Sequence, residues 1–315
     1  MLKGFPEAFE PLIERDFTVV FNEGFYPMSA EQLVEFIGSS PAAIIGIDRA
    51  SRLVFEQCKG LKILSRNGVG FDNVDLRAAL LHDVKVAIPV GANSLSVAEL
   101  TISLIISLVR DIVNRHSELQ SGIFRRVVGS EIAGKTLGII GLGQVGKRVA
   151  CRAIGMEMKV IANDIRPDHA FAQQYGIPFQ SFDQVVAQAD ILSLHVPLTP
   201  LTLNMINHDS IQRMKAGSYL INTARAAVVD PYALVEALDK RHLSGAAIDV
   251  HFEELGSSAG LHEVFVGRKD VLTTPHIGAY TRESLFRTTS QAVQNVVDFY
   301  EGREPFQLLS MEDLL

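Results

Sequence analysis

The feature that most constrains the fold of this chain is the glycine-rich stretch GIIGLGQVG at residues 138–146. It reads G-x-G-x-x-G at Gly141, Gly143 and Gly146. Its setting comprises an apolar run at 137–140, a helical pattern at 145–154, a second apolar run at 158–162, and Asp164. Strand, glycine turn, helix, strand and acid in this order are typical of a dinucleotide-binding βαβ unit.

Each glycine of this fingerprint has a separate physical role. Gly141 makes the tight turn, Gly143 lets the backbone approach a pyrophosphate, and Gly146 allows close packing of helix on strand. The anion then lies at the positive end of the helix. Asp164 is expected to bind the adenosine ribose and to repel a 2′-phosphate, which favours NAD, although Arg166 could accommodate that phosphate. A tight βα turn without a ligand is the alternative interpretation.

Composition excludes several classes of protein. The 315 residues carry a formal charge of −7 and a pI of about 5.7, which argues against a nucleic-acid partner. The two cysteines, Cys58 and Cys151, exclude a disulfide framework, and no His or Cys cluster has metal-ligand spacing. The N-terminus lacks an apolar signal core, and the longest uncharged apolar stretch, 100–109, is half a membrane span. We therefore expect no metal, no membrane partner and a cytoplasmic location.

Short apolar runs alternate with helical patterns along the chain. Continuous apolar runs are typical of parallel strands covered on both faces. This alternation predicts an α/β fold of doubly wound parallel sheets. The predicted strands are Thr18–Phe21, Ala43–Ile47, Lys62–Ser65, Lys85–Ile88, Leu137–Ile140, Lys159–Ala162, Ile191–His195, Tyr219–Asn222, Gly245–Asp249 and Val271–Thr273.

The position of the fingerprint predicts two domains. A nucleotide domain normally opens with its fingerprint strand, so the α/β residues before it must form another domain. A capping box at Ser96 and Glu99 predicts a long helix from Ser96 to about Ser117. The C-terminal helix, about Glu283 to Tyr300, is expected to return to the first domain. We thus predict a substrate domain of 1–95 plus 283–315, a nucleotide domain of 96–282, and a cleft between them.

Several motifs, in order, resemble the D-isomer-specific 2-hydroxyacid dehydrogenases, in particular the 3-phosphoglycerate dehydrogenase and glyoxylate/hydroxypyruvate reductase branch. The resemblance covers roughly residues 60 to 300. It implies a flavodoxin-like substrate domain beside a Rossmann domain, NAD as cofactor, and a homodimer formed through the nucleotide domain, by the helix from Ser96 and an arm containing Phe124. The motifs are RNGVGFDNVD (66–75), GANSLSVAE (91–99), the fingerprint, HVPLTP (195–200), NTAR (222–225) and PHIG (275–278).

The resemblance implies a catalytic trio of Arg225, Glu254 and His276, with Glu253 as the choice if the alignment shifts by one residue. This chain reads Glu254-Leu255, where family members usually read Glu-Pro. Hydride transfer to a keto acid leaves negative charge on the carbonyl oxygen, and histidine is the natural proton donor near neutral pH. A carboxylate would orient its ring. A planar guanidinium suits the substrate carboxylate.

The remaining site residues divide between substrate and cofactor. A small 2-hydroxy or 2-keto acid is expected to contact Val69 and Gly70, whose backbone N–H groups would form an anion nest, and Asn93. The expected cofactor contacts, from the fingerprint and from the resemblance, are Gly141, Gly143, Gln144, Val145, Gly146, Asp164, His195, Val196, Pro197, Thr202, Thr223, Ala224, Asp249 and Gly278.

Other functions remain possible at this point. A family of NAD(H)-sensing transcriptional corepressors shares the fold and the catalytic residues, but carries flexible tails that the printed sequence lacks. Formate dehydrogenases carry Gln in place of the Glu, and phosphite oxidation also occurs in the superfamily. The substrate side chain cannot be read from the sequence. A phosphate-bearing substrate would need a cation, for which Arg66 and Arg49 are candidates.

Overall fold

The computed structural model describes residues 4–24, 27–251 and 263–314. The chain divides into two compact units: Met1–Asn93 with Thr281–Leu315, and Ser94–Tyr280. Both contain parallel sheets covered by helices, which confirms the predicted α/β class. Within the described ranges, no helix is long and apolar enough to cross a membrane.

Nine of the ten predicted strands are present, with bounds shifted by two residues or fewer. The strands are β1 (Ala42–Ile45), β2 (Ile63–Arg66), β3 (Lys85–Ala87), β4 (Thr136–Ile140), β5 (Lys159–Asn163), β6 (Ile191–Leu194), β7 (Ser218–Asn222), β8 (Leu243–Ile248) and β9 (Val271–Thr273). The α-helices are α1 (Glu10–Ile13), α2 (Ala30–Ile37), α3 (Arg52–Gln57), α4 (Leu76–Leu81), α5 (Ser94–Val109), α6 (Ile112–Gln120), α7 (Gln144–Gly155), α8 (His169–Tyr175), α9 (Phe182–Gln188), α10 (His208–Arg213), α11 (Pro231–Asp239) and α12 (Arg282–Tyr300).

The first unit is built on a three-stranded parallel sheet in the order β1-β2-β3. One apolar cluster packs α2, α3 and α4 against this sheet. On a second cluster, α12 contributes Val293, Val296 and Val297, which pack with Phe9 and with Ile63 of β2. The C-terminal helix is thus part of the same core as the N-terminal residues.

The predicted strand Thr18–Phe21 does not form. Its residues alternate in burial as a strand would: Phe17 and Phe21 pack inward on Tyr300 and Phe9, while Val20 is 70% exposed. They nevertheless belong to none of the strands or bridges in the described residues. Side-chain periodicity reports burial of one face, whereas a strand also needs a neighbouring edge to pair with.

The second unit contains a six-stranded parallel sheet in the order β5-β4-β6-β7-β8-β9. An isolated bridge between Ala162 and Phe179 places one more extended segment beside β5. The chain therefore winds outward from β4 in one direction, returns, and continues from β6 in the other. This is the Rossmann strand order, in which ligands bind where the winding direction reverses, here between the carboxyl ends of β4 and β6.

Successive residues of these strands point to opposite faces of the sheet. Ile139 and Ile221 belong to a cluster with α5 and α7, while their neighbours Ile140 and Leu220 belong to a cluster with α9, α10 and α11. Both faces are therefore buried, which explains why the strands read as continuous apolar runs.

The predicted helix from Ser96 to Ser117 begins and ends differently. It starts at Ser94, so Ser96 lies buried inside α5 and is not its N-cap. The Arg148 guanidinium donates to the Ser94 hydroxyl at 2.8 Å, a contact from α7 that a local motif could not indicate. The helix stops at Val109, and Asp111, with φ +53°, separates it from α6.

Candidate functional site

The fingerprint glycines lie where β4 turns into α7, and two of them are required by the protein itself. A Cβ on Gly146 would stand 2.1 Å from the Gly141 carbonyl oxygen. Gly141 has φ +92°, and a Cβ there would stand 2.7 Å from the carbonyl oxygen of His195. The glycine loop is thus packed directly on the chain that leaves β6. By contrast, a Cβ on Gly143 would meet no protein atom within 4 Å.

The N-terminus of α7 is suited to an anion. Gly143 is the N-cap of this twelve-residue helix and has no side chain with which to cap the first backbone N–H groups. Such groups together with the helix dipole favour a phosphate. The open space over Gly143 and the two packed glycines beneath it fit the pyrophosphate of a dinucleotide.

Asp164 immediately follows β5 and braces the fingerprint loop. One carboxylate oxygen accepts from the Leu142 N–H at 2.7 Å, and the other from the Arg166 N–H at 2.8 Å. Arg166 itself is exposed. Because its carboxylate is fixed at the edge of the glycine loop, Asp164 is in the position expected of a ribose-binding acid, and this role stays a prediction.

The chain leaving β6 carries His195, Val196 and Pro197. The His195 Nε2 is 2.9 Å from the Ser193 hydroxyl, while its buried Nδ1 has no hydrogen-bond partner among the described residues. Burial lowers the pKa of His195 to about 3, so the ring is neutral. The Thr202 hydroxyl is used inside its own loop: it donates to the Pro197 carbonyl at 2.6 Å and accepts from the Thr199 N–H at 2.8 Å.

The NTAR motif follows β7, and its asparagine folds the chain back. The buried Asn222 side chain accepts from the Ala224 N–H at 3.0 Å and donates to the Arg225 carbonyl at 2.9 Å. The Arg225 guanidinium donates to the Ala224 carbonyl at 2.7 Å, and the residue is half-buried. The Thr223 hydroxyl is 3.1 Å from that of Thr101 on α5, which holds the loop from behind.

The PHIG motif follows β9 and is organised by Asp249, which follows β8. Its buried carboxylate accepts from the Thr274 hydroxyl at 2.6 Å, the Ile277 N–H at 2.9 Å and the Gly278 N–H at 2.9 Å. His276 lies in the middle of this turn with φ +51°, a conformation that is strained for a non-glycine residue. Three charge-assisted hydrogen bonds from one carboxylate can hold such a turn.

Two further contacts complete this turn. The His276 N–H donates to the Thr274 carbonyl at 2.9 Å, and that carbonyl also lies 2.8 Å from the His251 ring nitrogen. A Cβ on Gly278 would stand 3.0 Å from the Asp249 carboxylate, so glycine permits the close approach. Asp249 therefore has a structural duty in addition to the cofactor contact predicted for it.

The predicted Glu254 and its alternative Glu253 lie outside the described residues. Among the described residues, no group of three or more His, Cys, Asp or Glu side chains could hold a metal ion.

In the first unit, the predicted substrate residues Val69 and Gly70 follow β2. The N–H groups of both have no acceptor among the residues that the structure describes, as an anion nest requires. The buried Arg66 guanidinium shapes this loop, since it donates to the Gly70 carbonyl at 2.8 Å and to the Gly46 carbonyl. Arg66 is thus engaged with backbone carbonyls, whereas Arg49 is exposed.

Comparisons with known proteins agree with this geometry. Residues 102–278 match the family model for the D-isomer specific 2-hydroxyacid dehydrogenase, NAD binding domain. D-3-phosphoglycerate dehydrogenase 2, chloroplastic, from Arabidopsis thaliana is 40% identical over 263 residues, covering 82% of this chain and 42% of that protein. Glyoxylate reductase from Thermofilum pendens is 33% identical over 307 residues, covering 94% of this chain and 89% of that protein.

Solved structures give the same result. D-lactate dehydrogenase from Aquifex aeolicus, complexed with NAD and lactic acid, superposes with a TM-score of 0.84 at 29% identity, covering 95% of this chain and 93% of that one. The chain spans about half the length of several D-3-phosphoglycerate dehydrogenases it matches, at 42%, 55% and 52%.

The matched domain confirms NAD as the cofactor, and the glycine loop and α7 are the elements that would hold it. The family model covers more than half of the chain, and the glyoxylate reductase matches it over nearly its whole length. The chain therefore belongs to the D-isomer specific 2-hydroxyacid dehydrogenase family.

Proposed function

We propose that this protein is an NAD-dependent oxidoreductase that interconverts a D-2-hydroxyacid and its 2-keto acid. Arg225 binds the substrate carboxylate, and His276, paired with Glu254, acts as the acid or base. Candidate substrates are 3-phosphoglycerate with phosphohydroxypyruvate, glyoxylate, and hydroxypyruvate, the compounds in the names of its relatives.

The observation that carries this proposal is the arrangement of three neighbouring strand ends. β7, β8 and β9 are adjacent and parallel, and the loops that follow them carry Arg225, Asp249 and His276 respectively. The Asp249 N–H donates to the Asn222 carbonyl at 3.0 Å, so the first two loops are joined through their backbones. The Asp249 carboxylate joins the third. The guanidinium of Arg225 and the imidazole of His276 therefore belong to loops at the carboxyl edge of one sheet, where α/β proteins bind ligands.

In the reductive direction, Arg225 orients the keto acid because its planar guanidinium can donate to both carboxylate oxygens. A nicotinamide cofactor held by the glycine loop and α7 would supply the hydride for the new C–H bond at the keto carbon. His276 donates a proton to the carbonyl oxygen, which becomes the hydroxyl. In the oxidative direction, neutral His276 accepts the hydroxyl proton. Reduction therefore requires protonated His276 and oxidation requires the neutral ring.

The carboxylate assigned to His276 is Glu254, with Glu253 as the alternative. A carboxylate on the ring nitrogen opposite the substrate would fix the imidazole tautomer and favour its protonated form. Glu254→Gln and Glu253→Gln distinguish the two, because only the true partner should shift the pH dependence of reduction.

A panel of 2-keto acids with NADH tests the function: glyoxylate, hydroxypyruvate, phosphohydroxypyruvate, pyruvate and bulkier analogues. We expect at least one to be reduced, and Arg225→Ala to abolish its turnover while NADH still binds. Arg213→Ala is the matched control, an exposed arginine on α10 of the same unit that the proposed chemistry does not use. Retained turnover in Arg225→Ala would contradict the assigned role.

We further propose a homodimer formed through the second unit. Its residues 121–129 have no regular secondary structure and expose apolar side chains, with Phe124 at 78% and Val128 at 98% exposed. None of the side chains of the preceding helix α6 is buried. Several exposed apolar side chains in one short segment are consistent with an interaction site. A cytoplasmic location is also proposed, since Cys58 and Cys151 are both free.

A further inference from the structure

The C-terminal helix α12 carries a half-buried arginine, Arg287, for which the reaction described above has no use. Arg287 lies in the second turn of α12, and its Nε donates to the Ala92 carbonyl at 3.0 Å. Ala92 is buried and directly precedes Asn93, the predicted substrate contact at the end of the segment that follows β3. This hydrogen bond joins residues 195 positions apart in the sequence, so it is a tertiary tie and not a local cap.

The charge of Arg287 has no compensation among the described residues. No carboxylate of the described ranges lies within ion-pair distance of its guanidinium, and its Nη2 is buried without an acceptor. A guanidinium stays charged in proteins, and burying such a charge without a partner is costly. The buried Nη2 is therefore a charged donor that is still available to an anion.

The surroundings of Arg287 on α12 are polar as well. The Ser284 hydroxyl, the Ser290 hydroxyl and the Gln291 carbonyl oxygen are buried and lack partners. Their spacing of three and four residues from Arg287 places them on the same side of the helix. The nearby Thr289 hydroxyl donates to the Asn67 side chain at 3.4 Å, in the loop that carries Val69 and Gly70. The same helix therefore contacts both segments that hold the predicted substrate residues of this unit.

We propose that Arg287 is a positioning residue for the substrate. Its guanidinium fixes the Ala92 carbonyl, which sets the backbone that presents Asn93, and it places a permanent positive charge behind that segment, where it favours an anionic substrate. The inference rests on the proposed function, because Asn93 is a substrate contact only if the protein acts on a 2-keto acid.

The test compares Arg287→Met and Arg287→Lys with Arg282→Met, an exposed arginine one turn earlier on the same helix. For the keto acid that wild type reduces best, Arg287→Met should raise KM about tenfold, the effect of losing one charged hydrogen bond. Its kcat should change less than about threefold and its KM for NADH should stay within about twofold. Arg287→Lys should give an intermediate KM because lysine retains the positive charge but lacks the planar guanidinium and its rigid set of donors. Arg282→Met should match wild type.

Amide hydrogen exchange without substrate or cofactor gives a readout independent of activity. In Arg287→Met, peptides covering residues 88–93 should exchange faster than in wild type, while those of the second unit stay unchanged. If exchange in 88–93 is unchanged, or if apparent kcat falls with the amount of folded protein while both KM values stay at the wild-type values, the inference is wrong. Arg287→Lys decides the question should the Met variant fail to fold. A wild-type protein that reduces no keto acid would overturn the proposed function and this inference with it.

Discussion

Alanine substitutions at Gly143 and Gly146 should separate cofactor binding from folding. At Gly146 the new methyl group would stand 2.1 Å from the Gly141 carbonyl oxygen and 3.3 Å from the Ile139 side chain. The helix α7 would have to move by roughly 1 Å to reach ordinary contact distance. Overpacking of this kind costs about 1–3 kcal/mol. We expect Gly146→Ala to lower Tm by roughly 2–12 °C, at about 2–4 °C per kcal/mol for a unit of this size.

At Gly143 the same methyl group meets no protein atom within 4 Å. The free energy of unfolding of Gly143→Ala should therefore lie within about 0.5 kcal/mol of the wild-type value. The methyl group would instead occupy the space where a pyrophosphate approaches the backbone. Applying the same cost of about 1–3 kcal/mol to the complex predicts that the Kd for NADH rises about 5- to 150-fold.

Two measurements check this pair. Thermal denaturation followed by circular dichroism gives Tm, and NADH fluorescence gives Kd without interference from tryptophan, which the chain lacks. Gly155→Ala is the matched control: it ends α7, has no atom within 4 Å of the new methyl group, and should leave both values near wild type. A Gly143→Ala variant that binds NADH as wild type does, or that loses as much Tm as Gly146→Ala, would refute the reasoning.

Three further predictions follow from the same contacts. Asp249→Asn should lower kcat/KM about 10- to 100-fold in steady-state kinetics, since it replaces charge-assisted hydrogen bonds to the His276 turn. The control is Asp230→Asn, because asparagine can still cap the helix that Asp230 caps. An Asp249→Asn variant with the same kcat/KM as wild type would contradict this prediction. Between pH 6.5 and about 3 the unfolded chain binds a proton at position 195 that the folded protein excludes, so stability falls as pH falls through this window. Between pH 7 and pH 5, the free energy of unfolding measured in urea should therefore fall by about 2 kcal/mol less in His195→Gln than in wild type. An equal fall in the two proteins would contradict burial of the neutral ring. The double variant Phe124→Ser, Val128→Ser should be monomeric in light scattering. The control Leu81→Ser removes an exposed apolar side chain of the other unit and should stay dimeric. A monomeric wild-type protein would rule out the dimer.

The sequence predicted the parallel strands well because their signal is local. β9 has the predicted bounds, and the runs of β4 and β7 lie within one residue of them. Such a run is apolar on both of its faces over most of its length because helices cover both faces of its sheet. Thr18–Phe21 is a similar short β-rich run, but the neighbouring strand that it would need for pairing is not a property of the segment itself.

The capping boxes show the same limit at helix ends. Ser29 with Gln32 and Ser181 with Gln184 form capping boxes in the structure, whereas Ser96 with Glu99 shows the same pattern inside α5. The difference lies in tertiary contacts, since Ser94 is held by Arg148 and the residues that follow are buried. A cap motif is satisfied only where the chain is free to leave the helix, and the sequence does not report that.

In the candidate site, the motifs predicted which residues lie at the sheet edge but not what holds them. Asp249 was expected from the resemblance as a cofactor contact, yet its three hydrogen bonds come from residues 25 to 29 positions later. Arg287 carried no signal at all, because a single arginine on a helix is typical of a solvated surface. Its tie to Ala92 depends on how α12 returns to the first unit.

The motif residues at the sheet edge therefore fall into two groups, those that hold the loops and those that the loops carry. Asn222 and Asp249 lie where the backbone turns too sharply to form its own hydrogen bonds. Their polar side-chain atoms form hydrogen bonds with loop residues instead. Arg225 and His276 are carried by the loops so formed, and the left-handed backbone of His276 is tolerated because Asp249 holds both sides of it. A substitution at either acceptor should thus act on chemistry through the loops, whereas a substitution at Arg225 or His276 removes the reacting group and leaves the loops in place. Under the proposed function, all four polar residues at these three neighbouring strand ends are expected to be required, although only Arg225 and His276 are assigned to the substrate.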